Sequence, residues 1–187
     1  MGTVPSRFVF RDAVIAETPG GSRLVDCIQC GTCGGSCPNG SDMDHTPRAL
    51  FAMINAGMRD DVLSSNTPWM CVSCYMCTSR CPQEVPITDL MYTLKNMSVR
   101  NGRPGSREAP ALARTFARLV ERYGRSYEFG LASRYYLGSK PGSLFRMGPL
   151  GMSLFRRGRL SLRPQRIRNI GQLRRILSKA RELGGAA

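Results

Sequence analysis

Wherever the hydrophobic positions of this chain show a period, it is the period of a helix. Leu50, Phe51, Ile54 and Met58 recur at the three-to-four-residue spacing that lines one helical face. Thr46-Pro47 opens that segment with a capping hydroxyl and a proline suited to the first helical position, and Gly57 is a stop signal. Leu90, Met91, Leu94 and Met97 predict a second helix from about Thr88 to Val99, with Gly102 just beyond it. Leu112, Phe116, Leu119, Val120 and Tyr123 make one face of a helix from Glu108 to Tyr123, with Arg107, Arg114, Arg118 and Arg122 mostly off that face. Ile167, Ile170, Leu173, Ile176, Leu177 and Ala180 predict a last helix from about Gln165 to Leu183. Residues 138–164 carry five glycines and three prolines and read as a loop or extended arm. Residues 7–16 fit a strand or coil, and no alternating strand lies near the cysteines. The expected class is mainly α.

The polar signal that matters is a repeat of cysteines. Cys27, Cys30, Cys33 and Cys37 precede Pro38; Cys71, Cys74, Cys77 and Cys81 precede Pro82. Both runs read C-x-x-C-x-x-C-x-x-x-C-P, 44 residues apart. A cubane [4Fe–4S] core takes one thiolate at each iron, and three closely spaced cysteines can wrap one corner of it. In bacterial two-cluster ferredoxins the fourth cysteine of each run ligates the other cluster. Transferring that rule gives Cys27, Cys30, Cys33 and Cys81 for cluster I, and Cys71, Cys74, Cys77 and Cys37 for cluster II. Such an exchange ties the two runs together around the metal, so folding should depend on it. Gly31, Gly34 and Gly35 allow close backbone approach to inorganic sulfide. Two structural zinc sites are the rival, because four thiolates also suit tetrahedral Zn²⁺. Zinc ribbons, however, pair two C-x-x-C knuckles and need neither a third cysteine in the row nor the C-P ending.

Charge divides the chain. Residues 1–100 carry a net −1 and residues 101–187 a net +15, with all eight cysteines in the first part. The turn-rich stretch Asn101-Gly102-Arg103-Pro104-Gly105-Ser106 marks the junction. The expected organisation is an N-terminal segment (1–20), a two-cluster domain (21–102) and a basic helical extension (103–187) that docks a partner. With 42% apolar but only 7% aromatic residues and one Trp, the core should be aliphatic and rich in Met. A single histidine argues against chemistry built on a histidine cluster. No run approaches the ~20 apolar residues of a membrane span, and no secretory signal is evident, so the expected place is the cytoplasm, where thiols stay reduced. No dinucleotide fingerprint, P-loop or Ser/His/Asp arrangement accompanies the cysteines. The expected role is therefore electron transfer, with no catalysis by this chain alone.

The segments Cys27-Ile28-Gln29-Cys30-Gly31-Thr32-Cys33 and Trp69-Met70-Cys71-Val72-Ser73-Cys74, with Pro86-Ile87 and the helix that follows, resemble the C-type, iron–sulfur subunit of heterodisulfide reductase. The stretch Arg157–Pro164 and the closing amphipathic helix resemble that family less specifically. The resemblance covers about residues 20–100, and 140–183 weakly. It implies an alpha-helical ferredoxin-type fold with two [4Fe–4S] clusters. It also implies two heterodisulfide-reductase-like partners. One is of the A type and bears flavin and clusters; the other is of the B type and performs the disulfide or sulfur chemistry. The alternative is an iron–sulfur subunit or independent carrier for another respiratory dehydrogenase or reductase. Succinate dehydrogenase-type subunits add a [2Fe–2S] domain with its own cysteines, yet no cysteine precedes Cys27.

The basic half reads first as helices whose arginines are solvated or pair with acidic partners. Leu144, Phe145, Met147, Leu150, Met152, Leu154 and Phe155, interleaved with Arg146, Arg156, Arg157 and Arg159, suggest contact with an anionic membrane as a second reading. Nucleic acid is not expected, since no recognition motif accompanies the charge. His45 reads as a surface or capping residue. Trp69 either covers cluster II or serves as a core aromatic. Met53, Met58, Met70, Met76, Met91 and Met97 read as core fillers.

Overall fold

The computed structural model describes residues 6–102, 105, 108–139, 141–159, 161 and 163–184. It is all helix and turn among the described residues and divides into two compact units, Met1–Ser106 and Arg107–Ala187. The first unit contains α1 (Ser6–Glu17), α2 (Thr32–Gly35), α3 (Pro47–Asn55), α4 (Arg59–Ser64), α5 (Thr67–Met70), α6 (Met76–Ser79) and α7 (Ile87–Arg100), with 3-10 turns at Gly21–Asp26 and Gly40–Asp42. The second contains α8 (Glu108–Tyr123), α9 (Glu128–Ser139), α10 (Pro141–Arg156) and α11 (Ile170–Gly184).

Helix α3 starts as its sequence dictates. The Thr46 hydroxyl accepts from the Ala49 amide and Pro47 occupies the first turn. It stops at Asn55 because Gly57 turns left-handed at φ +78°. The Gly57 amide then donates to the Ile54 carbonyl at 3.0 Å and the Met58 amide to the Met53 carbonyl at 3.0 Å, a Schellman closure. Met58 therefore falls outside the helix and is exposed, which corrects its place in the apolar stripe. Met76 is likewise exposed, at the start of α6, while Met91 and Met97 fill the core as expected.

Residues 7–16 are helical, which corrects both the strand and the coil expected there. Phe10 and Val14, four apart, point α1 into the core. The Thr18 hydroxyl donates to the Val14 carbonyl at 2.7 Å and lies 2.9 Å from the Thr93 hydroxyl. Outside the core, Arg100 pairs with Glu17. Leu24, Leu50, Phe51, Ile54, Val62, Leu63, Val85, Ile87, Leu90, Met91, Leu94 and Met97 complete the core, and Cys33 belongs to it. Ile54 is fully buried. Ile54→Ala should cost about 2–5 kcal/mol, read as a lower urea midpoint with an unchanged slope.

In the second unit α8 packs against α9 and α11, and α9 against α10. Leu119 and Tyr123 are buried, but Leu112 and Phe116 of the expected apolar face are exposed. The loop or arm expected over 138–164 is replaced in large part by α10. Pro141 sits in its first turn, where the missing N–H costs nothing, and the helix carries Pro149 inside it. Helix α11 begins at Ile170, five residues later than its apolar pattern suggests. Arg103, Pro104, Ser106 and Arg107 around the junction, and the side chains of Leu144, Phe145, Arg146 and Met147, lie outside the described residues. No described helix is long and apolar enough to cross a membrane.

Candidate metal centre

The cysteine repeat is a repeat of backbone structure. Cys27 and Cys71 each end a helical turn, with φ, ψ of −64°, 111° and −68°, 116°. Their amides donate to Leu24 and Pro68 carbonyls at 3.3 Å in both cases. Gln29 and Ser73 turn left-handed at φ 58° and 56°, and Gly31 and Tyr75 do so at 84° and 60°. The four-residue helices α2 and α6 follow at the same offset, and they pack on each other. Cys37 and Cys81 then donate their amides to the Gly34 and Thr78 carbonyls at 3.2 and 3.3 Å.

This alternation of left-handed residues has a chemical meaning. Successive amides in such a turn line a concavity suited to an anion, as at many iron–sulfur sites. In the first run glycine takes one of the left-handed positions at no steric cost. The second run holds a tyrosine there, a strain of about 1–2 kcal/mol that persists only where the surroundings enforce it. Gly31→Val should destabilise the loaded protein by about 1–2 kcal/mol, seen as a lower thermal midpoint. Gly34 has a different reason for its identity than approach to sulfide: a Cβ there would lie 3.2 Å from Thr46 Cβ. Gly35 faces open space.

The loops deliver the thiols to two separate cavities. One is lined by Cys27, Cys30, Cys33 and Cys81, with Arg48, Phe51 and Val85. The other is lined by Cys37, Cys71, Cys74 and Cys77, with Met43, Met70 and Met91. Ile87, 2% exposed, lines both and is the wall they share. Among the described residues, no three Cys, His, Asp or Glu side chains converge on one point as ligands of a single ion do. The donors surround a volume instead. A soft polynuclear core with thiolate terminal ligands suits such a donor set.

The environment of the thiols is uneven. Burial pushes the Cys33 thiol up to about 11, and burial also raises Cys77, against hydrogen bonds from Thr88 and Thr78. Cys30 is exposed, and its hydrogen bond with the Thr32 hydroxyl at 3.4 Å lowers it. Gln29 Nε2 donates to Cys27 Sγ at 3.5 Å. Lys95 Nζ donates to the Cys71 carbonyl at 3.1 Å and lies 5.2 Å from the Tyr92 ring centre. Ser73 donates to the Tyr92 hydroxyl at 2.7 Å, and Asn39 Nδ2 to the Met70 carbonyl at 2.8 Å. Arg48, Lys95 and Asn39 are absent from the sequence reading, and so are the left-handed turns at Gln29, Ser73 and Tyr75. Of these only Tyr75 left a signal: it aligns with Gly31 across the repeat.

His45 is half-buried, and its main chain exchanges two hydrogen bonds with the Thr67 hydroxyl, at 3.0 and 2.9 Å. Trp69 is half-buried too, and its Nε1 is buried without a partner among the described residues.

Residues 23–85 match the family described as a 4Fe-4S dicluster domain. The chain is 41% identical over 86 residues to the C-type polypeptide of the H(2):CoB-CoM heterodisulfide,ferredoxin reductase of Methanothermobacter marburgensis, which is 46% of each chain. It is 38% identical over 94 residues to the corresponding polypeptide of the Ferredoxin:CoB-CoM heterodisulfide reductase of Methanosarcina mazei, 49% of this chain and 58% of the relative. This chain is a homologue of the iron–sulfur, C-type subunit of heterodisulfide reductase. A protein of Archaeoglobus profundus described as similar to the same heterodisulfide reductase component extends the similarity to 130 residues at 32% identity, 68% of this chain and 66% of the relative. The match spans about half the length of the first of these heterodisulfide reductase relatives. As in any dicluster domain of this family, the cofactors are two [4Fe–4S] clusters, and the two thiol-lined cavities fit them.

Proposed function

We propose that this chain is the electron-transfer subunit of a heterodisulfide-reductase-like complex. It relays electrons between an A-type partner, which bears flavin and iron–sulfur clusters, and a catalytic B-type partner that acts on a disulfide or other sulfur substrate. Cys27, Cys30, Cys33 and Cys81 hold one cluster; Cys71, Cys74, Cys77 and Cys37 hold the other. The observation that carries the reading is the pair of four-cysteine cavities that share Ile87 as a wall. When bound, the clusters supply one-electron carriers.

The residues around them prepare the transfer. Core side chains Phe51, Val85, Met91 and Ile87 wall the cavities on the inner side and exclude water there. On the outer side each loop presents an exposed apolar residue at the same repeat position, Ile28 at 61% and Val72 at 65%. Exposed Val25 lies by the first run and Tyr75 and Met76 by the second. Apolar surface beside each site suits docking of a redox partner on either side.

The test is anaerobic isolation of the native assembly through this chain, followed by mixing with its partners. A flavoprotein and a cysteine-rich protein should co-purify, and disulfide reduction by the flavoprotein should fall to background when this chain is left out. A fully loaded chain that stays monomeric and exchanges electrons with neither partner would refute the proposal.

A further inference from the structure

The second unit holds a concentration of positive charge that the cluster chemistry does not use. Arg114, Arg118 and Arg122 follow one another at four-residue spacing along α8, and Arg134 faces them from α9. Together with Ala111, Thr115 and Gly138 they line an open cavity of about 620 Å³. All four arginines are exposed, and none is in an ion pair among the described residues. A neighbouring groove between α8 and α11 shares Arg118 and Arg122 with this cavity, and there Glu121 pairs with Arg181 and its carbonyl accepts from Arg174, so that groove's charge is partly neutralised within the chain.

We infer that the α8–α9 cavity receives an acidic helical segment of a partner protein. This rests on the reading of the chain as one component of a larger complex. From Arg114 to Arg122 the helix rises about 12 Å. A lone phosphate or carboxylate is only a few ångströms across, so it cannot reach the whole of a row about 12 Å long. A helix with glutamates four apart repeats the same spacing and offers a carboxylate to each arginine. The cavity lining favours that occupant over others. Among the described residues no aromatic side chain lines it to stack a base, and its small residues Ala111, Thr115 and Gly138 leave room for a backbone. Among the described residues no large apolar side chain lines the cavity beside the charge, whereas a lipid surface needs apolar side chains there.

The experiment uses the cluster-loaded full-length chain and a fluorescent helical peptide carrying Glu at every fourth position. Arg114→Gln, Arg118→Gln and Arg134→Gln are combined in one variant. Arg157→Gln, Arg159→Gln and Arg163→Gln, exposed elsewhere in the same unit, remove equal charge in a control. The cavity variant should weaken peptide binding by about tenfold or more, and the control by less than about twofold. Iron content and visible spectrum should match wild type in both, so a failure here is distinct from a failure of the cluster assignment. Equal weakening in the two variants would show mere net charge and overturn the inference. So would binding of pyrophosphate, or of phosphatidylglycerol vesicles, that depends on the cavity arginines while peptide binding does not.

Discussion

Cys37→Ala combined with Cys77→Ala should leave about four irons per chain, whereas Cys37→Ala combined with Cys33→Ala should leave almost none. The contrast follows from the proposed exchange of the fourth ligands between runs. Cys37 and Cys77 line one cavity; Cys33 lines the other. The first pair damages a single site, and the second pair damages both. If each run served its own cluster the two outcomes would be reversed. Iron and sulfide analysis of anaerobically prepared protein distinguishes them. Single Cys81→Ala should reduce iron by about half, and adding Cys27→Ala should reduce it no further.

Removing iron and sulfide should unfold the first unit to a large extent. Helices α2, α5 and α6 have four residues each, too short to persist by themselves. The runs also contain three left-handed non-glycine residues, Gln29, Ser73 and Tyr75. Their combined strain of about 3 kcal/mol is a lower bound on what the bound clusters must support. For a domain of this size that alone corresponds to about 15 °C in midpoint. The stripped protein should therefore melt at least that much lower in calorimetry. Hydrogen exchange should accelerate first at residues 27–37 and 71–81. Unchanged protection of those loops after complete iron removal would count against metal-dependent folding.

The features that the sequence made legible are those with a strong local cause. Thr46, Pro47 and Gly57 bracket α3 through their own hydrogen bonding and backbone geometry, and the α7 stripe from Leu90 to Met97 is buried along its length. The cysteine runs declare their chemistry by spacing. Less legible features depend on partners distant in sequence. Helix α1 has only Phe10 and Val14 as buried anchors among its described side chains, and Thr93, far along the chain, helps to fix its end. Glycine and proline in 138–164 suggest breaks, yet α10 packs against α9 and retains Pro149. Lys95 and Arg48 reach the cysteine loops only because the fold brings them there. Tyr75 conceals a left-handed turn that glycine would have announced.

The matched geometry of the two runs bears on what half of this unit could do. A fragment with only the first run would own three thiols of one site and the odd thiol of another. Two such fragments, placed head to tail, would complete each other, so their assembly would be bimolecular and depend on concentration. Joining both halves in one chain, with the runs 44 residues apart, makes that assembly intramolecular. A short tether gives an effective concentration on the order of millimolar, so cluster acquisition proceeds at the low protein levels at which separate halves would stay empty.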